Sequence, residues 1–184
     1  MERIYVNLKR FRGVNYNGLI IIISLVFALI TLCYVLLHNP YQKLHEQIFQ
    51  TAYNIRAYYS DHPGYWKLNT ESAVDDKLVS KELLKHTEYD FKIGIGINGD
   101  TALPSDSVFD IVLSGVNKST CIGLVEAKVG KKQLLSLQKI TVINSDGDTT
   151  EFTWGDNKHP LPVTKYAARN VCKSTQNTIL WNFQ

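Results

Sequence analysis

Three cysteines are the residues of this sequence whose chemistry is most open to interpretation: Cys33, Cys121 and Cys172. Cys33 lies inside an apolar run, where a neutral thiol acts as a small hydrophobic side chain. Cys121 and Cys172 belong to no Cys-x-x-Cys motif and have no accompanying histidine pair, so their spacing does not indicate a metal site. In an oxidising compartment a disulfide between them is favoured, and two free thiols in a small core are the alternative.

Other chemically suggestive residues have structural interpretations. The run 94–99 fits the GxGxxG pattern, but its glycines sit within an alternating pattern typical of a strand rather than between a strand and a helix. Asp75 and Asp76 are predicted to lie in the N-terminal turn of a helix, where the helix dipole favours carboxylates. We expect the five scattered histidines to lie on the surface: His38, His45, His62, His86 and His159. No nucleophile with a base is recognisable, so the sequence predicts a protein without catalytic activity, cofactor or metal site.

The formal net charge of +3 is concentrated at the N-terminus. Residues 1–18 contain four basic side chains and one acidic side chain, so the rest of the chain is formally neutral. This distribution gives no support to a nucleic-acid-binding surface. We therefore expect no nucleic-acid partner, and the basic residues instead indicate an orientation in a membrane.

An apolar run from Gly18 to Leu37 follows these basic residues and contains no charged side chain. At a rise of about 1.5 Å per residue, a helix of this length spans a hydrocarbon core of about 30 Å. The positive-inside rule keeps the N-terminus in the cytoplasm and sends the C-terminal part across the membrane. We therefore predict a single-pass inner-membrane protein with a periplasmic domain. Its apolar run is longer than the roughly 7–15 residues of a signal peptide, so ordinary signal removal is not expected.

A second helix is predicted directly after the membrane segment. Pro40 is expected to kink the helix at the membrane exit without ending it. Apolar residues then recur at spacings of three and four, which predicts an amphipathic helix that ends at the Pro63–Gly64 break. The residues of this apolar stripe are Leu44, Ile48, Ala52, Ile55 and Tyr59.

Short helices and strands are predicted for the rest of the chain. The predicted helices cover residues 74–86, a segment that begins near Cys121, and residues 164–173. The predicted strands cover residues 91–97, 108–116, 137–143, 149–154 and 178–183, with turns at 98–100 and 144–148. One long helix, three short helices and about five strands predict an α+β domain.

Taken together, these features resemble the type IVb pilins, most closely the bundle-forming pilus subunits. The basic leader ends in Asn17-Gly18, directly before the apolar run that begins at Leu19. The strand 109–113 runs through Gly115 into the helix that bears Cys121. The resemblance is completed by the segments 170–174, which contains Cys172, and 177–183.

This resemblance implies a pilin fold and a pilin's processing. In that fold an extended N-terminal helix packs its outer half against an antiparallel sheet with short flanking helices. Prepilin peptidase would cut between Gly18 and Leu19, and pilin N-termini are commonly methylated. The Cys121–Cys172 disulfide would close the loop that holds the variable C-terminal region. The implied organisation is a leader (1–18), the membrane half of the helix (19–37), its amphipathic half (38–60) and a head (61–184).

One departure from the family bears on the position in a fibre. Mature pilins commonly carry glutamate as the fifth residue, where it pairs with the N-terminal amine of a subunit already in the fibre. Counting from Leu19 places Ile23 at that position. An unpaired carboxylate in hydrocarbon costs at least a few kcal/mol, so a subunit with nothing above it gains by lacking the charge. The resemblance therefore implies a minor subunit at or near a pilus tip, with a role in priming assembly.

The implied partners are other pilin subunits through the N-terminal helix, the prepilin peptidase and the inner-membrane assembly platform. A ligand on a host surface is a further partner that an adhesive head could meet. Two alternatives stay open at this point: a pseudopilin of a type II secretion system, and an uncleaved bitopic inner-membrane protein with a periplasmic interaction domain.

Overall fold

A computed structural model describes residues 16–37, 40–84, 91–97, 107–126, 136–173 and 176–184. The chain forms two compact units, Met1–Asn39 and Pro40–Gln184. In the first unit, the described element is helix α1, Tyr16–Leu37. The domain boundary thus falls directly before Pro40, and the amphipathic helix that follows belongs to the same unit as the sheet.

The second unit is an α+β domain, as the sequence predicted. Its helices are α2 (Pro40–Tyr58), α3 (Thr70–Asp75), α4 (Lys81–Leu84), α5 (Lys118–Glu126) and α6 (Lys165–Val171). Its strands are β1 (Lys92–Ile97), β2 (Phe109–Val116), β3 (Leu137–Ile143), β4 (Thr149–Thr153) and β5 (Asn177–Phe183). They form one antiparallel sheet in the order β1-β2-β5-β3-β4. The last strand of the chain therefore occupies the centre of the sheet.

Helix α2 packs onto the core with the apolar stripe that the sequence predicted. All members of this stripe are buried: Leu44, Ile48, Ala52, Ile55 and Tyr59. The helix ends at Tyr58, before the Pro63–Gly64 break. Phe49 of α2 also contacts Phe183 of β5 edge to face, with ring centroids 5.3 Å apart. The amphipathic pattern therefore covers the central strand with the helix.

The sheet interior follows the alternation of the strands. Ile111 of β2 lies opposite Trp181 of β5, and Leu113 lies opposite Ile179. All four side chains are fully buried, because alternate residues of a strand point to the same face. The glycines at 94 and 96 lie inside β1, which confirms a strand for the described part of the GxGxxG run.

The prediction of one helix over residues 74–86 was wrong. Helix α3 ends at Asp75 and α4 begins at Lys81, while residues 85–86 lie outside the described residues. The assignment of Asp75 and Asp76 to an N-terminal turn was also wrong, because Asp75 is the last residue of α3 and Asp76 is its C-cap. The second unit therefore has two short helices where the sequence predicted one.

Helix α3 ends early because a residue other than glycine adopts the left-handed conformation that stops it. Lys77 adopts a left-handed conformation, with φ of 58°. Its N–H donates to the carbonyl of Val74, and the N–H of Leu78 donates to the carbonyl of Ala73. These two bonds form a Schellman motif, in which the left-handed position is usually a glycine. Lysine at this position leaves no signal in the sequence, so the periodicity alone suggested a continuous helix.

Close packing of α5 against α2 depends on a glycine. A Cβ atom placed at Gly123 would lie 2.5 Å from the ring of Tyr41. Any side chain there would displace the tyrosine, because Cβ atoms do not approach carbon this closely. Gly123 therefore allows the helix that carries Cys121 to lie directly on α2.

Candidate functional site: the apolar helix and the disulfide-closed region

Helix α1 presents apolar side chains on its surface. Its exposed large hydrophobic residues are Ile20, Ile21, Ile22, Ile23, Leu25, Val26, Phe27, Leu29 and Ile30. The hydroxyl group of Ser24 donates to the carbonyl oxygen of Ile20 at 2.9 Å, and that of Thr31 donates to the carbonyl oxygen of Phe27 at 2.9 Å. Both hydroxyl groups are thus satisfied within the helix and require no water.

The predicted processing residues all fall on α1. Gly18 lies in the first turn, and no atom lies within 4 Å of a Cβ built on it, apart from its chain neighbours and the backbone of its own helix. Leu19 follows in the helix, and Ile23 is 58% exposed. Residues 1–15 of the predicted leader lie outside the described residues. Cleavage after Gly18 and the role of Ile23 stay predictions.

In the part of the chain that the structure describes, no helix is both long enough and apolar enough to cross a membrane.

Pro40 is the first residue of α2. Proline is favoured at the first position of a helix because its fixed φ suits the helix and its missing N–H would lack an intrahelical partner anyway. His38 and Asn39 lie outside the described residues, so the predicted kink at Pro40 stays a prediction.

The Cys121–Cys172 disulfide is confirmed. The two Cα atoms are 5.9 Å apart, and both side chains are fully buried. Cys121 lies in the first turn of α5, where its N–H donates to the carbonyl of Asn117 at 2.9 Å. Cys172 is the C-cap of α6. The bond therefore fastens the start of one helix to the end of another.

This bond closes a region of the chain that contains α5, the β3–β4 hairpin and α6. Two large side chains of the region are exposed, Trp154 at 45% and Tyr166 at 76%. Trp154 is held in place because its Nε1 donates to the carbonyl of Leu137 at 2.7 Å. Tyr166 lies on α6, directly after Lys165. The region thus presents aromatic groups outward from a fixed frame.

The β3–β4 turn is organised by one asparagine. The side-chain oxygen of Asn144 accepts hydrogen bonds from the backbone N–H groups of Asp146 and Asp148, at 2.9 and 3.0 Å. Asp148 also lies 3.5 Å from the ammonium group of Lys173, just after α6. A hydrogen bond from Asn144, and secondly the charge of Lys173, lower the pKa of Asp148. The turn is therefore joined to the segment that follows Cys172.

One histidine departs from the predicted surface position. His45 is only 3% exposed, and its ring stacks on Phe49 with centroids 4.6 Å apart. Burial lowers the pKa of His45 from 6.5 to about 4, so the ring is neutral near pH 7. His62 is exposed as predicted and His159 is half-buried against Phe152, whereas His38 and His86 lie outside the described residues. Among the described residues, no group of three metal-ligating side chains is close enough to hold a metal ion.

A cleft at the end of α2 was not predicted from the sequence. Tyr53, Arg56, Tyr59 and Tyr65 contribute to its lining. The sequence has four tyrosines between residues 53 and 65, but the helical stripe includes only Tyr59 and gives no indication of a cleft. The cleft forms where this segment meets Ser107, just before β2, and Gln184, just after β5.

No protein-family model matches the sequence, and none of the curated proteins matches it either. Among solved structures, the chain is similar to TcpA, a type IV pilin from Vibrio cholerae El Tor biotype. The TM-score is 0.54 at 15% sequence identity, and the alignment covers 77% of this chain and 99% of the TcpA chain. At this identity the similarity establishes the fold. The chain has the type IV pilin fold, as the resemblance in the sequence predicted.

Proposed function

We propose that this chain is a structural subunit of a type IV pilus. The observation that carries the proposal is an exposed apolar helix, α1, on a chain with the type IV pilin fold. A contiguous apolar surface of this kind needs a covering of lipid or of other protein. In this proposal lipid covers α1 before assembly, and the helices of neighbouring subunits cover it in the fibre.

The proposed route of the chain follows from this change of surroundings. The inner membrane holds α1 with the head in the periplasm, prepilin peptidase cuts after Gly18, and the assembly platform moves the subunit into the fibre. The internally bonded hydroxyl groups of Ser24 and Thr31 support this route, because neither group is left unpaired when water is removed. The mature head is then exposed at the cell surface.

Within the pilus, we infer a minor subunit at or near the tip. The inference rests on Ile23, which stands where a fifth-position glutamate would attract the amine of the subunit above. A chain without that carboxylate is better suited to begin a fibre than to extend it. Deletion of the chain should therefore reduce the number of pili more than their length.

Labelling with an antibody to the head tests this position. We expect gold particles at fibre tips, about one per fibre, in electron micrographs of cells. Ile23→Glu should add labelling along the shafts, whereas the matched variant Ile22→Glu should not. Even labelling of wild-type shafts would refute the tip position, and a chain that is absent from fibres and retains Met1 would instead be a bitopic membrane protein.

A further inference from the structure

A cleft opens beside the C-terminal end of α2, where β2 begins and β5 ends. Its volume is about 500 Å³. This value lies within the range of roughly 300–1,000 Å³ that small-molecule sites occupy. The side chains that matter for its chemistry are Tyr53, Arg56, Tyr59, His62, Tyr65 and Ser107.

The floor of the cleft is fixed by contacts between aromatic rings. The ring centroids of Tyr59 and Tyr65 are 5.6 Å apart, and those of Tyr65 and Phe109 are 4.7 Å apart. Phe109 in turn contacts Phe183 at 5.5 Å, and both phenylalanines are fully buried. The tyrosines are therefore anchored to the sheet core, so their side chains lose little conformational entropy when a ligand binds.

The cleft combines polar and apolar groups and contains one cationic side chain. Arg56 is exposed and is the one formally charged side chain among the described lining residues. Burial raises the pKa of Tyr65, and the charge of Arg56 and a hydrogen bond with its guanidinium oppose that shift. Burial raises the pKa of Tyr59. The charges of Tyr58 and of Asp76, which lies outside the lining, raise it further. Both tyrosines are thus neutral phenols at pH 7, beside a cation.

We propose that this cleft binds a sugar ring that carries a carboxylate. The exposed ring of Tyr53 offers apolar area to one side of the sugar ring, and rigid aromatic side chains provide such contact at low entropic cost. The hydroxyl groups of Tyr65 and Ser107 match those of a sugar in size and hydrogen-bonding capacity. Arg56 supplies the planar pair of donors that binds a carboxylate.

This site goes beyond assembly, because it gives the head a ligand of its own. Tyr53 is 67% exposed and lies at the rim, so a ligand can reach the floor from solvent. The same chemistry could be presented by a free sugar acid or by the terminal residue of a surface glycan. Binding is measured on the protein alone, so its failure would leave the proposal of a pilus subunit untouched.

Saturation-transfer NMR on the full chain in deuterated detergent micelles tests the site. Glucuronate and glucose form a matched pair of probes that differ in the carboxylate. We expect saturation of glucuronate well above that of glucose. Arg56→Gln should weaken glucuronate binding about tenfold, the loss of one charge-assisted contact, and Tyr53→Ser should weaken both sugars. Lys43→Gln removes an exposed cation from the same helix, and we expect it to change nothing.

Three outcomes would overturn the proposal. Equal saturation of glucose and glucuronate would show that Arg56 does not bind the carboxylate. Binding of glucuronate by Arg56→Gln with the affinity of wild type would show the same. Displacement of glucuronate by an equal concentration of acetate would show a simple anion site. Once glucuronate binding is established, an immobilised oligosaccharide that ends in glucuronate distinguishes the two sources of the ligand. Retention of the chain indicates a surface glycan, and failure of retention indicates the free acid.

Discussion

At the scale of single residues, a buried histidine couples folding to pH. His45 lies in α2 with its ring against Phe49, and burial lowers its pKa from 6.5 to about 4. The folded chain therefore disfavours a proton that the unfolded chain accepts below pH 6.5. The contribution of neutral His45 to the free energy of unfolding is fully present above pH 6.5 and is lost as the pH falls toward 4.

The predicted size of this loss is about 3 kcal/mol, since one pKa unit corresponds to about 1.4 kcal/mol. Chemical denaturation of the chain at a series of pH values should show it. His45→Leu should flatten the wild-type slope between pH 6.5 and 4, and His62→Gln, which alters an exposed histidine, should leave the slope unchanged. Equal slopes for wild type and His45→Leu would contradict the assignment.

A second residue-scale prediction concerns strain at Lys77. Its left-handed φ of 58° is unfavourable for a residue with a Cβ and normal for glycine. Lys77→Gly should therefore stabilise the chain by about 1 kcal/mol. Lys43→Gly, inside α2, should destabilise it by about the same amount. A lower melting temperature for Lys77→Gly would show that its side chain makes contacts worth more than the strain.

At the scale of elements, both edges of the sheet are covered in part by hydrogen bonds to residues outside the five strands. On β1, the hydroxyl group of Thr70 accepts from the N–H of Ile95 at 2.8 Å and donates to its carbonyl at 3.3 Å. On β4, Thr153 exchanges hydrogen bonds with His159 and Leu161. Edge strands left open are templates for pairing with another chain. In the proposed fibre, where subunits associate through their apolar helices, pairing between sheet edges would compete with the intended contacts.

Thr70→Val should expose the β1 edge without changing the shape of the side chain. We expect a loss of about 1–2 kcal/mol, because the backbone groups of Ile95 lose their partner. Size-exclusion chromatography in detergent should also show more high-mass material than for wild type. Thr149→Val, the same change at an exposed residue of the other edge strand, is the control. Identical behaviour of the two variants would mean that Thr70 does not protect the edge.

The sequence predicted elements well where the side-chain pattern matched the burial pattern. The apolar stripe of α2 and all five strands could be found because their periods reflect one buried face. The split between α3 and α4 could not be found, because lysine occupies the usual glycine position. The central place of β5 was not predicted, since pairing between distant strands leaves little trace in one sequence. The cleft was missed because three separate segments form it.

At the scale of the whole molecule, the disulfide holds the C-terminal half of the chain together. It closes a loop of 51 positions between α5 and α6. By the loop-closure model, this link stabilises the folded chain by roughly 4 kcal/mol. Cys172→Ser should therefore make the head sensitive to limited proteolysis, and Cys33→Ser should not. Equal resistance of wild type and Cys172→Ser would show that packing alone holds the region.

The N-terminus of the chain in isolated fibres tests most directly whether the chain is a processed subunit of a pilus. Nothing lies within 4 Å of a Cβ built on Gly18 beyond its own helix and chain neighbours, so Gly18→Val should block processing without disturbing the fold. Gly13→Val in the leader is the matched control. Mass spectrometry of sheared pili should find a chain that begins at Leu19 in wild type and Gly13→Val, and none in Gly18→Val. A chain that is missing from wild-type fibres and still begins at Met1 in the membrane would contradict the account.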